Sequence, residues 1–448
     1  MASKHILSRI SRKAGDSFRE GWLFGDEMSR NRLLLLHFCF SSNVMANMVG
    51  GNFYTGYMLY LGADDSFVGL MSMFVFAANF LQIFSPLLLE RFQRRKMLLI
   101  WSRLAIQLIN IAFIGAITFF PVSRQGKLIV FGASVLLLNV MNAFISPGYS
   151  VWHIKFLPGN VRVRYFTLQN LFNGIIVAAF NLIGGWLVDQ FEAAGIQVWG
   201  FLVLRIFALV VLAYDLFTLY RMKEYPYEKS AEKFSFKGIF IAPFKEKIYL
   251  YTVLFNFLWC LIANMPGSYY TVYLLQNCNA SYSLLSVGNA INVPVLILFI
   301  PLWSRLLSRF SWLKVAVASV AMYAVHWVLF TFVTADNVLW LYPAILVYAY
   351  IMATGVNLSF ANLPYTNIPT ANQTQFIGFY TAISNLGALL GITFGRKFIL
   401  LTENVTLFGF CNKQLLIFVS GILLLTVSVI MFFLRKKMEA PTFRTNKQ

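Results

Sequence analysis

Long apolar stretches alternate with short polar segments along most of the chain. Runs of roughly 20 apolar residues occur about twelve times, and a run of that length can cross a hydrocarbon layer about 30 Å thick as an α-helix. The pattern therefore predicts an all-α polytopic membrane protein with about twelve transmembrane helices. The predicted helices lie near these positions: 33–60, 66–89, 97–120, 128–150, 166–188, 200–220, 248–275, 283–303, 314–334, 338–360, 376–398 and 414–434.

A nine-residue phrase occurs twice within these stretches. It has the sequence GNFYTGYML at 51–59 and GSYYTVYLL at 267–275, which is 216 residues further along. Each copy follows the triplet Ala-Asn-Met, which contains Asn47 in the first half and Asn264 in the second. The second half is therefore a diverged copy of the first. Because each half holds an even number of helices, the repeat predicts two six-helix bundles related by a pseudo-two-fold axis along the membrane normal.

The composition changes abruptly between the sixth and seventh apolar runs. Residues 221–247 carry seven Lys or Arg and four Glu, which predicts a cytoplasmic linker between the bundles 33–220 and 248–434. The segment 1–32 has no apolar run, so it is not a cleavable signal peptide. It is either an amphipathic surface segment or a solvated tail. Residues 435–448 are predicted to be a cytoplasmic tail.

The charge distribution decides what the net charge of +19 means. Most of the 36 Lys and Arg fall in the N-terminal segment, in alternate loops and in the C-terminal tail, whereas the opposite loops hold Arg124, Lys127 and Lys413. This asymmetry follows the positive-inside rule and argues against a nucleic-acid partner. We expect a multi-pass protein of the cell membrane, inner or plasma, with the lipid bilayer as its surroundings, both termini in the cytoplasm and a monomeric state.

The loop between the second and third predicted helices carries a recognisable motif. Residues 86–96 have the sequence PLLLERFQRRK, which resembles the signature loop of the major facilitator superfamily in its acid and its basic positions. Pro86 and Gln93 stand where that signature has glycine. Helix count, linker and repeat extend the resemblance over the whole helical region. It implies the fold of that superfamily and a cycle between inward-open and outward-open states about a central site.

The same resemblance implies a gate at this loop. In the family, an acid at the helix end and the basic residues after it form a charge network that holds one conformation. By resemblance we expect a gating role for Glu90, Arg91, Arg94 and Arg95. The alternative is ordinary topology, because the inside loops of any membrane protein collect Lys and Arg.

Few ionisable groups fall within the predicted helices. Asp215 in the sixth helix lies at about the depth of Arg103 in the third, and we favour a structural pair over a proton-carrying Asp215, since intramembrane charges are costly unless paired. Arg205, Arg396 and Lys397 lie near the predicted outer ends, where long side chains can reach the interface.

Asparagine and tyrosine supply the other polar groups within the helices. On the first helix Asn43, Asn47 and Tyr54 share one stripe, and the seventh helix carries a comparable stripe. Amides both donate and accept hydrogen bonds, and tyrosines can stack on a ring or cover a sugar face. The predicted substrate-binding residues of a central cavity are Asn43, Asn47, Tyr54, Asn142, Asn173, Asn256, Asn264, Tyr270, Asn289, Asn357 and Asn385.

The alternative for each of these asparagines is packing, because amides also hold transmembrane helices together. The equivalent pair Asn47 and Asn264 favours the cavity, since the first and seventh helices face each other in the resembled fold. Gly50, Gly51 and Pro266 lie beside the repeated phrase and predict breaks in both helices.

These observations predict a secondary transporter that moves a small polar, neutral or zwitterionic solute by alternating access, as a uniporter or a symporter. One alternative is a lipid-handling or sensory membrane protein with the same fold, and another is a drug/proton antiporter. No nucleophile motif, paired acids or metal-ligand spacing occurs in the helical runs, so we expect neither an enzyme nor a cofactor or metal.

Overall fold

The computed structural model describes residues 26–89, 91–157, 159–225, 242–363, 373–403, 405–407 and 409–438. Its architecture is all-α, as predicted. In the described part of the chain, twelve helical segments, α1 to α12 in chain order, have these bounds: Glu27–Leu61, Asp65–Leu81, Lys96–Phe119, Arg124–Ile154, Gly159–Ala193, Gln197–Arg221, Lys247–Asn277, Tyr282–Arg309, Trp312–Phe330, Val338–Asn362, Gln373–Leu401 and Asn412–Met438.

Eleven of these described helices are long and apolar enough to cross a membrane, and α2 is a shorter apolar helix. A short 3₁₀ turn and helical turn, Gln82–Phe84 and Ser85–Leu89, continue α2, and the short 3₁₀ turn Ala242–Lys245 precedes α7. With twelve crossings, the start of α1 and the end of α12 lie on one side. We call the opposite side the outer side.

The first helix begins earlier than its pattern predicts. It starts at Glu27 rather than near residue 33, because Asp26 caps it by accepting from the backbone N–H of Ser29 at 2.7 Å. The last helix likewise extends to Met438. The N-terminal segment before residue 26, most of the linker and the tail after residue 438 lie outside the described residues.

The helices α1 and α7 are both broken beside the repeated phrase, as predicted. In α1 the helix stops at Val49 and resumes at Gly51, which has a φ of +52° that favours glycine. In α7 it stops at Asn264 and resumes at Gly267, because Pro266 has no backbone N–H to continue the ladder.

The phrase also anchors each broken helix to the third helix of its own bundle. Tyr57 is fully buried and donates its hydroxyl to the Ile114 carbonyl of α3 at 2.9 Å. Tyr273, its equivalent in the repeat, donates to the Val333 carbonyl just after α9 at 2.5 Å. The two bundles therefore fix the outer pieces of α1 and α7 in the same way.

Each half has its own apolar core. Among the described residues, one large and one small cluster of buried side chains lie in the second half, and two clusters fill the first. One of the first-half clusters also includes Val272 and Tyr282 of the second half. Between the halves, α5 packs against α8 and α2 packs against α11. These two antiparallel helix pairs flank α1 and α7, so the seam between the halves runs between the two broken helices.

Candidate functional site

A cavity of about 320 Å³ lies between α1 and α7 at their breaks. Four of its polar lining residues come from equivalent positions of the repeated phrase, namely Asn52 and Thr55 of α1 with Ser268 and Thr271 of α7. Asn264, just before the α7 break, also lines it. The volume falls in the range of small-molecule sites, which are about 300–1,000 Å³.

The cavity lies near the middle of the membrane. The outer piece of α1, Gly51–Leu61, has 11 residues. At 1.5 Å per residue it places the break about 16 Å from the outer end of the helix, roughly half of a hydrocarbon layer about 30 Å thick. Breaks in helices at this depth are where transporters often bind their substrates.

The lining is uncharged and rich in hydrogen-bonding groups. Thr271 donates to the amide oxygen of Asn52 at 3.3 Å, which joins the two halves across the cavity. Asn264 donates to the carbonyl of Cys260 at 2.7 Å, one turn back on its own helix. Ser72 of α2 adds a further hydroxyl, and α1, α2 and α11 contribute the apolar side chains of Met58, Val68, Phe76 and Ile392.

Side chains at the outer ends of α5 and α8 join the halves above this cavity. Asp189 of α5 accepts from the backbone N–H groups of Tyr282 and Ser283, each at 2.8 Å, at the start of α8. A carboxylate at a helix N-terminus satisfies free donors and interacts favourably with the helix dipole. Phe53 of the phrase packs on the ring of Tyr282, with 6.2 Å between centroids.

A second set of contacts joins α2 to the end of the second half. Arg396 of α11 donates to the hydroxyl of Ser66 at 2.7 Å, and Lys413 at the start of α12 forms an ion pair with Asp65 at 2.9 Å. We call Asp65, Ser66, Asp189, Arg396 and Lys413 the outer latch. These contacts join the two halves on the outer side of the seam.

Two of the predicted substrate-binding residues, Tyr54 and Asn264, line the cavity. Asn47 lies one turn below, where its amide oxygen accepts from Asn181 of α5 at 3.2 Å. Asn43 donates to the carbonyl of Cys39 on its own helix at 2.8 Å. The amide oxygen of Asn173 on α5 is buried and has no hydrogen-bond partner among the described residues.

The other predicted residues are spread over the second bundle and α4. Asn256 is buried and donates to Ser384 of α11, which is a packing contact within the bundle. Tyr270 stacks on Phe330, with 4.0 Å between ring centroids. Asn385 is half-buried, and three further asparagines are exposed: Asn142, Asn289 and Asn357.

The basic loop before α3 is tied to its own bundle. Glu224, after α6, accepts from the backbone N–H groups of Arg95 and Lys96 at 2.6 and 2.8 Å. Arg95 is buried, whereas Arg91 and Arg94 are exposed. Glu90, the predicted gate acid, lies outside the described residues, so the gating role stays a prediction.

The predicted pair of Arg103 and Asp215 is confirmed. Arg103 Nε lies 2.5 Å from a carboxylate oxygen of Asp215, and Ser41 and Ser42 donate to the other oxygen at 2.6 and 3.0 Å. Asp215 has no exposed surface. The guanidinium also stacks on Phe38, 4.7 Å from the ring centroid.

The expectation that Arg205 reaches the outer interface is wrong. Arg205 is 4% exposed and donates to the Asn110 carbonyl at 2.7 Å. This carbonyl belongs to a π-helical turn of α3, Leu108–Phe113, which does not use all of its carbonyls in the regular ladder. The side chain also lies 4.6 Å from the Tyr57 ring centroid, so it turns into the bundle, where it finds partners.

The sequence prediction missed the outer latch and most of the cavity lining. Asn52, Thr55, Ser268 and Thr271 belong to the repeated phrase, which was the available signal. For the latch the signal was weaker, since it consists of charged residues at predicted outer helix ends. Which of those charges meet depends on how the halves dock.

Comparison with known proteins places this geometry in a family. The model of the Major Facilitator Superfamily matches residues 34–392, whereas no curated protein matches at a significant level. Among solved structures, a variant of the nucleoside transporter NupG is similar over 90% of this chain and 99% of its own, with 15% identity and a TM-score of 0.67.

Two further structures show the same fold. A POT family transporter in complex with a thioalcohol-conjugated peptide is similar over 92% of this chain and 96% of its own, with 13% identity and a TM-score of 0.65. A D-xylose–proton symporter is similar over 90% and 96%, with 12% identity and a TM-score of 0.65. With the family model matched over most of the chain and two six-helix halves meeting at broken helices, the protein belongs to the Major Facilitator Superfamily of membrane transporters.

Proposed function

We propose that the protein is a secondary transporter that moves a small polar, neutral or zwitterionic solute by alternating access, as a uniporter or a symporter. The observation that carries this proposal is the uncharged cavity at the seam, lined by equivalent residues of the two halves. Uncharged amides and hydroxyls can hydrogen-bond a polar solute. The solutes named for the similar structures, nucleosides, peptides and D-xylose, are polar as well.

The transport cycle follows from the two-half construction. In this proposal, a solute reaches the cavity from the side of the chain termini while the outer latch is formed, and the charge distribution predicts that this side is cytoplasmic. Opening to the outside requires the latch contacts of Asp189, Arg396 and Lys413 to break while the halves rock about the cavity. The solute is then exposed to the other side of the membrane.

The proposal is tested by ligand binding and counterflow. Purified protein is screened for thermal stabilisation by nucleosides, sugars, amino acids and dipeptides, and each hit is tested for counterflow in proteoliposomes. We expect Thr271→Val to weaken the apparent affinity about three- to tenfold, because one hydrogen bond contributes about 0.5–1.5 kcal/mol. The matched control is Thr426→Val on α12, whose hydroxyl bonds its own helix at 2.9 Å.

Two results would contradict the proposal. One is an unchanged affinity in both Thr271→Val and Asn264→Ala, which would place the site elsewhere. The other is efflux of hydrophobic cations driven by a pH gradient without binding of any polar solute. That result would favour a drug/proton antiporter, although the described lining of the cavity carries no carboxylate, histidine, lysine or arginine.

A further inference from the structure

A second concavity lies at the opposite end of α7 from the outer latch. It is a groove of about 490 Å³ between α7 and α11, and we call it the α7–α11 groove. The residues that define it here are Phe244, Lys247, Leu254, Phe257, Phe379 and Ile383. Apart from Lys247 and Tyr251, the side chains that line this groove are apolar, whereas the central cavity has a mixed polar and apolar lining.

The groove runs into the membrane from its surface. Lys247 is the first residue of α7, and Phe257 lies about 15 Å deeper at 1.5 Å per residue. That depth equals roughly one leaflet of a hydrocarbon layer about 30 Å thick. An apolar groove with this length and direction fits an acyl chain and does not fit a polar solute.

The mouth of the groove carries positive charge. Lys245 and Lys247 are both exposed there, and they outnumber the exposed Glu246 between them. The start of α7 has no side-chain cap, so its free N–H groups and its dipole also favour an anion. Phe244 is 62% exposed and packs edge-on against Phe379, with 5.3 Å between centroids, which gives the mouth an apolar wall.

We propose that the α7–α11 groove binds one anionic phospholipid of the inner leaflet. Its phosphate lies against Lys247 and the start of α7, and one acyl chain lies along Leu254, Phe257 and Ile383. Basic pockets between transmembrane helices on the cytoplasmic side recognise anionic head groups in this way. The lipid is a bound component and is distinct from the transported solute.

The head-group part is tested on the purified full-length protein. Its thermal unfolding is measured with added phosphatidylglycerol, with phosphatidylcholine, and with glycerol 3-phosphate as a free anion. We expect phosphatidylglycerol to stabilise the protein more than phosphatidylcholine, and Lys247→Gln to at least halve that difference. The matched control is Lys314→Gln, which removes an exposed lysine near the start of α9, on the same side of the membrane as the groove mouth. We expect this variant to keep the difference between the two lipids.

The acyl-chain part is tested by native mass spectrometry. Phosphatidylglycerol bound to the wild-type protein is compared with that bound to Ile383→Trp, which fills the groove, and to Phe244→Ala, which removes an exposed wall residue. We expect both variants to retain less lipid at equal activation energy. Retention equal to that of the wild-type protein in both Ile383→Trp and Phe244→Ala overturns the proposal. Stabilisation by glycerol 3-phosphate equal to that by phosphatidylglycerol also overturns it.

Discussion

Asp215 is a carboxylate without exposed surface that is surrounded by donors. Arg103, Ser41 and Ser42 supply its hydrogen bonds in the half of the first bundle nearer the chain termini. A buried ion pair is stable only when its remaining lone pairs and protons are also satisfied. Both oxygens of the Asp215 carboxylate have partners, and the geometry supports a structural role for Asp215 over proton transfer.

Comparison of a single and a double variant separates the two roles. Asp215→Leu alone leaves a buried guanidinium unpaired, and we expect it to destabilise the protein by about 3–5 kcal/mol. Arg103→Met together with Asp215→Leu is expected to be clearly less destabilising than Asp215→Leu. Thermal unfolding of the variants measures the effect. If the double variant folds but loses the pH dependence of solute uptake, Asp215 carries protons and the structural assignment is wrong.

At the scale of elements, close packing between α7 and α11 depends on glycine. Gly387, Gly391 and Gly395 recur every fourth residue on α11, and each faces a backbone carbonyl of α7. A Cβ added at Gly391 would lie 2.0 Å from the carbonyl oxygen of Leu261. Small residues at such spacing let transmembrane helices approach closely, so this stripe sets the distance between the two helices.

Gly391→Ala is therefore expected to destabilise the protein. The helices α7 and α11 must separate to admit the methyl group, and overpacking of this kind costs about 1–3 kcal/mol. Thermal unfolding in detergent measures the loss. The control is Gly126→Ala in the first turn of α4, where the added Cβ would have ordinary contacts of 3.4 Å and longer. Equal stability of the two variants would contradict the close contact.

At the scale of the whole molecule, the two halves meet through the outer latch and the repeated phrase. Phe53 and Tyr269 occupy equivalent positions, and each packs against the opposite half. Phe53 lies on Tyr282, and the Tyr269 hydroxyl lies beside Gly69 of α2, 2.4 Å from where a Cβ would stand. The aromatic contacts between the halves on the outer side are thus roughly symmetric. The charged and polar contacts of the α5–α8 pair differ from those of the α2–α11 pair.

Asp189→Asn should shift the conformational equilibrium towards the outward-open state. The amide keeps one acceptor for two N–H groups and loses the negative charge. We expect this to destabilise the state with the outer latch formed by about 1–2 kcal/mol, which changes the ratio of the two states roughly tenfold. Distances between spin labels at Gln125 and Ala335, exposed residues at the outer ends of the two halves, measure the shift. Glu192→Gln, about one turn further along α5, is the control. An unchanged distance distribution in Asp189→Asn would exclude the latch role.

The cavity shows which features of the candidate site can be predicted from the sequence. The equivalence of Asn47 and Asn264 and the breaks at Gly51 and Pro266 pointed to the part of α1 and α7 that borders the cavity. Apolar periodicity and helix breakers are local properties, so the sequence shows them directly. Asn256 belongs to the same stripe of α7 as Asn264, yet its side chain donates to Ser384 of the neighbouring helix α11. Sequence spacing gives the face of a helix but not the helix that covers that face.

The sequence by itself determined the membrane class, the helix positions, the duplication and the two broken helices, because each follows from local apolarity, helix propensity or an internal comparison. The tertiary structure decided which polar groups meet. Arg205 turns inward because a π-helical turn of α3 offers a carbonyl, and Asp189 reaches α8 because α5 and α8 pack together across the seam. Those contacts join residues that are distant in the chain, so only the packing of the bundles determines them.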